Sequence, residues 1–173
     1  SLSATITDTT GNTSTSSASL VVTLDTTAPT IAITTPIEGD DVVNAAEDND
    51  VLVEGTTDAE DGQTVTVTFT DSSSATVTAT AIVSAGAWTI LGSEADISAL
   101  ANGTITVTAD VDDAAGNPAP QASETVVLDN VAPAAPVITS ADDDTGASNS
   151  DGITNDNTQT LTGTAEANST VEI

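Results

Sequence analysis

The chain has 173 residues, 27 of them Asp or Glu, with no Lys, Arg or His, so its formal net charge is −27. No side-chain ion pair can form within it, and no lysine or histidine is present to activate a nucleophile. Phosphate binding depends on Lys and Arg, which excludes nucleic acid and disfavours anionic membrane surfaces. Self-repulsion on this scale works against a compact state. Tight folding therefore calls for neutralisation from outside, and a divalent metal ion is the obvious source. High charge with few aromatics is also the composition of disorder. Against that, 38% of residues are hydrophobic, and Val, Ile and Thr recur in the short alternating runs of half-buried strands.

Taken in chain order, the first strand pattern is 30–34 (TIAIT), followed by 51–54 and by 64–70 (TVTVTFT), which alternates cleanly. The fourth is 75–82 and the fifth 87–91. Ile97 to Leu100 reads as one helical turn before the sixth strand, 104–109, and 123–128 is the seventh. Turn signals separate them: Gly39, Asp61-Gly62, Asp71-Ser72, Asn102-Gly103 and Gly116-Asn117-Pro118. Seven short strands in about 104 residues predict an all-β, immunoglobulin-like sandwich. Trp88 and Phe69, the only Trp and Phe, are expected in its core. With no cysteine, neither a disulfide nor a zinc–thiolate site holds the fold.

The pattern repeats. Leu24-Asp25-Thr26-Thr27-Ala28-Pro29 returns as Leu128-Asp129-Asn130-Val131-Ala132-Pro133, and Asp8-Thr9-Thr10-Gly11-Asn12 returns as Asp113-Ala114-Ala115-Gly116-Asn117. Gly55-Thr56 has its counterpart in Gly163-Thr164. Three portions are therefore expected: 1–25 as the end of one module, 26–129 as a complete module and 130–173 as the start of another. The whole reads as a slice of a tandem array. No apolar run reaches the 18 residues of a membrane-spanning helix, so membrane insertion is not expected. Nor does Ser1 open a signal peptide. The acidic, cysteine-free composition suits a bacterial exterior.

Certain segments resemble the bacterial immunoglobulin-like repeats of giant RTX-type adhesins and biofilm-associated surface proteins. They are Gly39-Asp40-Asp41-Val42-Val43-Asn44-Ala45-Ala46-Glu47, Val53-Glu54-Gly55-Thr56-Thr57, Gly62-Gln63-Thr64-Val65-Thr66-Val67, Gly86-Ala87-Trp88, Leu100-Ala101-Asn102-Gly103-Thr104 and Asp113-Ala114-Ala115-Gly116-Asn117. Asp151-Gly152-Ile153-Thr154-Asn155-Asp156-Asn157 and Leu161-Thr162-Gly163-Thr164-Ala165-Glu166 look like a second subtype. The resemblance implies extender modules that carry a terminal binding domain away from the cell, with calcium at module junctions stiffening the rod.

On a seven-strand frame the acids gather at two ends. One pole is expected to hold Asp25 of the linker, Asp58, Glu60 and Asp61, and Asp112 and Asp113 with Asn117. The opposite pole is expected to hold Asp40, Asp41, Asn44 and Glu47 near Asp129. Calcium takes six to eight oxygens from carboxylates, carbonyls, amides and water, whereas magnesium keeps more water, and zinc wants His or Cys. Several Ca2+ per module are therefore expected at the junctions. Asp142, Asp143, Asp144, Asp151 and Asp156 suggest a further loop site without EF-hand spacing. Other acids, such as Asp71, Glu94 and Glu124, are read as solubilising only.

Catalysis is not expected: acid–base work would fall to paired carboxylates alone, and these lie at loop tips. The Asn-x-Ser/Thr triplets at Asn12, Asn102 and Asn168 are read as chance. The favoured function is a non-catalytic, calcium-rigidified spacer of a cell-surface adhesin, a monomeric rod whose partners are calcium and neighbouring modules of the same chain. The alternatives are a glycan- or ice-binding module, with the alternating Thr64, Thr66, Thr68 and Thr70 as its surface, and a surface lattice or filament in which strands of half-modules pair in trans.

Overall fold

A computed structural model describes residues 1–90, 95–141, 144, 147–148 and 151–173. Leu91, the expected end of the fifth strand, lies outside the described residues, as do Glu94, Asp142 and Asp143. The chain forms two compact units, Ser1–Asp129 and Asn130–Ile173. Among the described residues the regular structure is mainly β, in agreement with the alternating sequence pattern, with a short 3-10 turn at Ile37–Gly39.

In the first unit, two sheets face each other. Strands β1 (Ile31–Ile33), β3 (Val53–Thr57) and β6 (Ala87–Ile90) form an antiparallel sheet in the order β1-β3-β6. The second sheet has the order β2-β8-β7-β4-β5, from β2 (Val42–Asn44), β8 (Ala122–Asp129), β7 (Gly103–Asp110), β4 (Thr64–Thr70) and β5 (Thr76–Ile82). The strand count differs from the seven expected between residues 26 and 129. The segment around Val43, read as loop, contributes β2, which runs parallel to β8 from Val42↔Val127 to Asn44↔Asp129. Its three residues are too few to show a period. What fixes it is Val43, fully buried against the core.

Period-two burial assembles that core. Val65, Val67 and Phe69 of β4 point inward, as do Ile105, Val107 and Ala109 of β7 and Val126 and Leu128 of β8. Val53, Trp88 and Ile90 answer from the other sheet. Trp88 and Phe69 are both buried, as expected. The alternate residues of the larger sheet are threonines in cross-strand rows: Thr76, Thr70, Thr106 and Thr125 form one, and Thr78, Thr68 and Thr108 another. The expected helical turn is a single turn in which the Leu100 N–H donates to the Ile97 carbonyl at 2.9 Å. Ahead of the sandwich, residues 1–22 fold back on themselves through the bridges Leu2↔Leu20 and Thr7↔Thr13.

The second unit carries an antiparallel pair, β9 (Val137–Ala141) and β10 (Leu161–Thr164), with a register shift between Thr162 and Gly163. The pairing repeats that of β1 with β3, and the glycine falls in the same place. A Cβ on Gly55 would lie 2.1 Å from the Ala32 carbonyl oxygen, and one on Gly163 would lie 2.6 Å from that of Val137.

Candidate metal centres

At the pole where the chain enters the sandwich, three segments meet. The side-chain amide of Asn117 donates to the Asp25 carbonyl at 3.4 Å. Glu60 Oε2 accepts the Ala114 N–H at 2.9 Å, tying the β3–β4 loop to the β7–β8 loop. Asp58 Oδ1 accepts the Thr30 N–H at 2.5 Å, tying the same loop to the start of β1. Thr57 reinforces this corner, its hydroxyl donating to the Thr30 carbonyl at 2.6 Å. The Thr30 N–H holds the Asp58 carboxyl below the usual carboxylate range. Asp61 faces another way, its Oδ1 accepting the Ala85 N–H of the β5–β6 turn at 2.7 Å.

Asp113 is buried, and its carboxylate serves its own loop. Oδ1 accepts the N–H groups of Ala115 and Asn117 at 2.9 and 2.8 Å, and Oδ2 accepts the Asn117 amide at 2.8 Å. The Asn117 side chain is the main cause of its lowered pKa. Asp112 beside it is exposed and bridges to Pro118 through the backbone. Asp25, Asp58, Glu60, Asp112, Asp113 and Asn117 thus stand on segments that touch.

At the opposite pole the short strand β2 organises the acids. Asp40 Oδ1 accepts the Val42 N–H at 3.0 Å, Asp41 Oδ1 accepts the Ile37 N–H at 2.7 Å, and Glu47 Oε2 accepts the Asn44 N–H at 3.0 Å. Asn44 is the register partner of Asp129. Two further acids here were not singled out in the sequence. Glu38 has a left-handed backbone (φ 52°), and its carboxylate accepts the Leu52 N–H. Asp48 is buried, with its carbonyl accepting the Ile97 N–H at 2.7 Å. The run Glu47-Asp48-Asn49-Asp50 offers no apolar rhythm that would separate the buried acid from its exposed neighbours.

Among the described residues no three acidic side chains converge in a common coordination shell. The carboxylates are turned instead onto backbone N–H groups. The donor chemistry nonetheless fits a hard cation. The acids offer only oxygens, as calcium requires. Asp25, Glu60 and Asp61 each spend one oxygen on a backbone N–H, leaving the other for a ligand. In the second unit, Asp144 Oδ2 accepts the Gly152 N–H at 3.1 Å, and Oδ1 is buried with no hydrogen-bond partner among the described residues. Asp151 and Asp156 cap the N–H groups of Ile153 and Thr158.

One sequence reading is overturned here. Asp71, taken as solubilising, is buried. Its Oδ1 accepts the N–H groups of Ser73 and Ala75 and the Ser73 hydroxyl, and its Oδ2 accepts the Ala101 N–H at 2.9 Å. It joins the β4–β5 turn to the loop before β7. The Ala101 N–H and then the Ser73 hydroxyl lower its pKa to about 2.

No protein-family model matches the chain, and no curated protein does. Solved structures do. A tetra-tandem repeat in the extending region of a large adhesion protein is 30% identical, covering 82% of this chain and 34% of that one, with a TM-score of 0.51. A Ca2+-stabilized adhesin that helps an Antarctic bacterium reach out and bind ice is 30% identical over 83% of this chain and 34% of its own, with a TM-score of 0.48. A bacterial immunoglobulin-like domain from the M. primoryensis ice-binding adhesin is 28% identical over 58% of this chain and 96% of its own, with a TM-score of 0.36. The chain spans about a third of the length of the first two. The first of these, a tandem repeat from the extending region of a large adhesion protein, bears out the resemblance read from the motifs.

Proposed function

We propose that this chain, whose fold and repeats are those of large bacterial adhesins, is a non-catalytic extender stiffened by calcium at its module junctions, outside the cell. The observation that carries the reading is one of charge and place. The chain holds 27 acids and no basic residue, and carboxylates cluster on loops where the chain enters and leaves the sandwich, around Asp25 and Asp129. A spacer needs each junction to resist bending, and bridging oxygens from linker and loop to one ion removes freedom where the backbone is otherwise free to swivel. Asp25, Asp58, Glu60, Asp61, Asp112, Asp113 and Asn117 would hold calcium at one end, and Asp40, Asp41, Glu47 and Asp129 at the other. Bound calcium would supply the positive charge that the chain lacks.

Extracellular calcium modules bind at about 10⁻⁴–10⁻³ M. At calcium about tenfold above such a constant, each site adds about 1.4 kcal/mol, or about 5 °C in melting temperature for a domain of this size. Melting curves and small-angle scattering, each run in calcium and in chelator, test the reading. The expected result is a lower melting temperature and a shorter, bent envelope in chelator. Melting and scattering that ignore calcium would overturn it.

A further inference from the structure

The strand that ends the larger sheet is long and bare. Among the described residues β5, seven residues long, pairs with β4 alone, whereas the other edges of the sandwich, β1, β2 and β6, have three, three and four. Natural sheets keep other strands off their edges by making them short, charged, bulged or proline-bearing. β5 uses none of these devices. Its sequence TVTATAI holds neither acid nor proline, and its register is unbroken from Thr64↔Ile82 to Thr70↔Thr76.

Bonds at the two ends of the β4–β5 ladder show which backbone groups are open. The Asp71 N–H donates to the Ala75 carbonyl at 3.0 Å, and the Val83 N–H to the Gln63 carbonyl at 2.9 Å. In the register between them the odd-numbered residues exchange the ladder bonds. The N–H and C=O groups of Thr76, Thr78, Thr80 and Ile82 therefore point away from β4, and no described residue bonds to them. The side chains of these four are exposed as well, Ile82 by 60%.

Charge identifies the occupant. From Gly62 to Ile90 the sequence has one acid, Asp71, and that carboxylate is buried under four hydrogen bonds. Acids crowd the loops at the poles instead, with ten between Glu38 and Asp61. A basic partner would be drawn to the acidic poles, whereas a second copy is repelled from them and meets little repulsion along this edge. We propose that β5 is the surface through which two copies of this chain associate side by side. Each β5 runs antiparallel to the other about a two-fold axis through Ala79, joining two five-stranded sheets into one of ten. Thr78 of one copy faces Thr80 of the other, Thr76 faces Ile82, and about eight N–H···O bonds close the gap. Copies so paired meet along a sheet edge, a contact distinct from the module junctions. It needs screening of charge rather than a bound ion, so its fate is separate from that of the calcium reading.

Sedimentation equilibrium of the full 17.0 kDa chain tests this, with chelator present and about 0.5 M NaCl, where the Debye length is about 4 Å. The average mass is expected to rise with concentration toward twice the monomer. Thr80→Asp sets a carboxylate opposite Thr78 in each of the two symmetry-related pairs, the two charges lying diagonally, and is expected to weaken the pairing about fivefold. Thr78→Pro deletes an outward N–H, a position where an edge strand tolerates proline, and is expected to do the same. Thr125→Asp, adding equal charge to the same sheet three strands away, is expected to leave association unchanged, with melting curves showing all three variants folded. A chain that stays monomeric at every concentration, or a dimer that Thr80→Asp and Thr78→Pro leave intact, would overturn the proposal.

Discussion

Gly55 shows how one missing methyl sets the depth of a core. β3 passes so close to β1 and β6 that a Cβ at Gly55 would sit 2.1 Å from the Ala32 carbonyl oxygen and 2.3 Å from the Trp88 ring. Neither neighbour can retreat easily: Ala32 is held in register by β3, and Trp88 is the largest fully buried side chain. Gly55→Ala is therefore expected to destabilise the sandwich by about 3 kcal/mol, the upper range for overpacking a filled core. Urea unfolding of variant and parent in calcium measures it. A loss under about 0.5 kcal/mol would mean that the strand and the indole shift aside. The burial of Trp88 could be read from composition, since a lone Trp in a strand pattern belongs inside. The role of Gly55 could not. Its recurrence as Gly163 marked a repeat, but the reason for a glycine lies in a carbonyl from another strand, which no local pattern announces.

The same loop is built three times, and the sequence displays two of the copies. Asp8 accepts the N–H groups of Thr10 and Asn12, Asp113 those of Ala115 and Asn117, and Asp71 those of Ser73 and Ala75. In each, the residue three after the aspartate has a left-handed backbone: Gly11 at φ 92°, Gly116 at 87° and Ser74 at 68°. Where glycine holds that position the motif is visible as Asp-x-x-Gly-Asn, but where Ser74 holds it the motif vanishes into Asp71-Ser72-Ser73-Ser74-Ala75. That is why Asp71 passed for a surface charge. Asp71→Ala removes four acceptor contacts and is expected to lower the melting temperature by about 5–10 °C. The pH dependence has a definite sign. The folded pKa of Asp71 is about 2, below its ordinary 3.8. Its contribution is thus complete above about pH 4 and is lost as pH falls through about 2. The difference in melting temperature between parent and Asp71→Ala should hold steady from pH 7 to about 4 and close below it. A difference that closes between pH 7 and 5 would assign the effect to another group.

Across the whole molecule, charge and fold pull against each other. The alternating runs made most strands of the sandwich legible, and the turn signals fell between them. β2 escaped because three residues carry no period, although its pairing with β8 brings Asn44 beside Asp129. The two acid-bearing ends were legible as places, because strand order decides which loops share a pole. The direction each carboxylate takes was not, since an aspartate in a loop will accept whichever backbone N–H the turn presents. What remains at long range is a field of −27 with no internal opposite. Such a chain in chelator should gain more from salt than a protein of balanced charge. Screening shortens the reach of repulsion, so its melting temperature is expected to climb with NaCl at pH 7. Acid acts the other way. Hydrogen bonds, first from the Thr30 N–H, the Ala101 N–H and the Asn117 side chain, hold Asp58, Asp71 and Asp113 below the ordinary carboxylate range. Their contribution therefore holds from pH 7 to about 4 and is lost as pH falls further. With calcium bound acidification should cost more, because protons then compete with the cation for the same oxygens. Thermal melts over pH 3–7, with and without chelator and at low and high NaCl, read all of these slopes. A chelated chain whose melting temperature ignores salt at pH 7 would show that its acids stand far enough apart to need no neutralising partner.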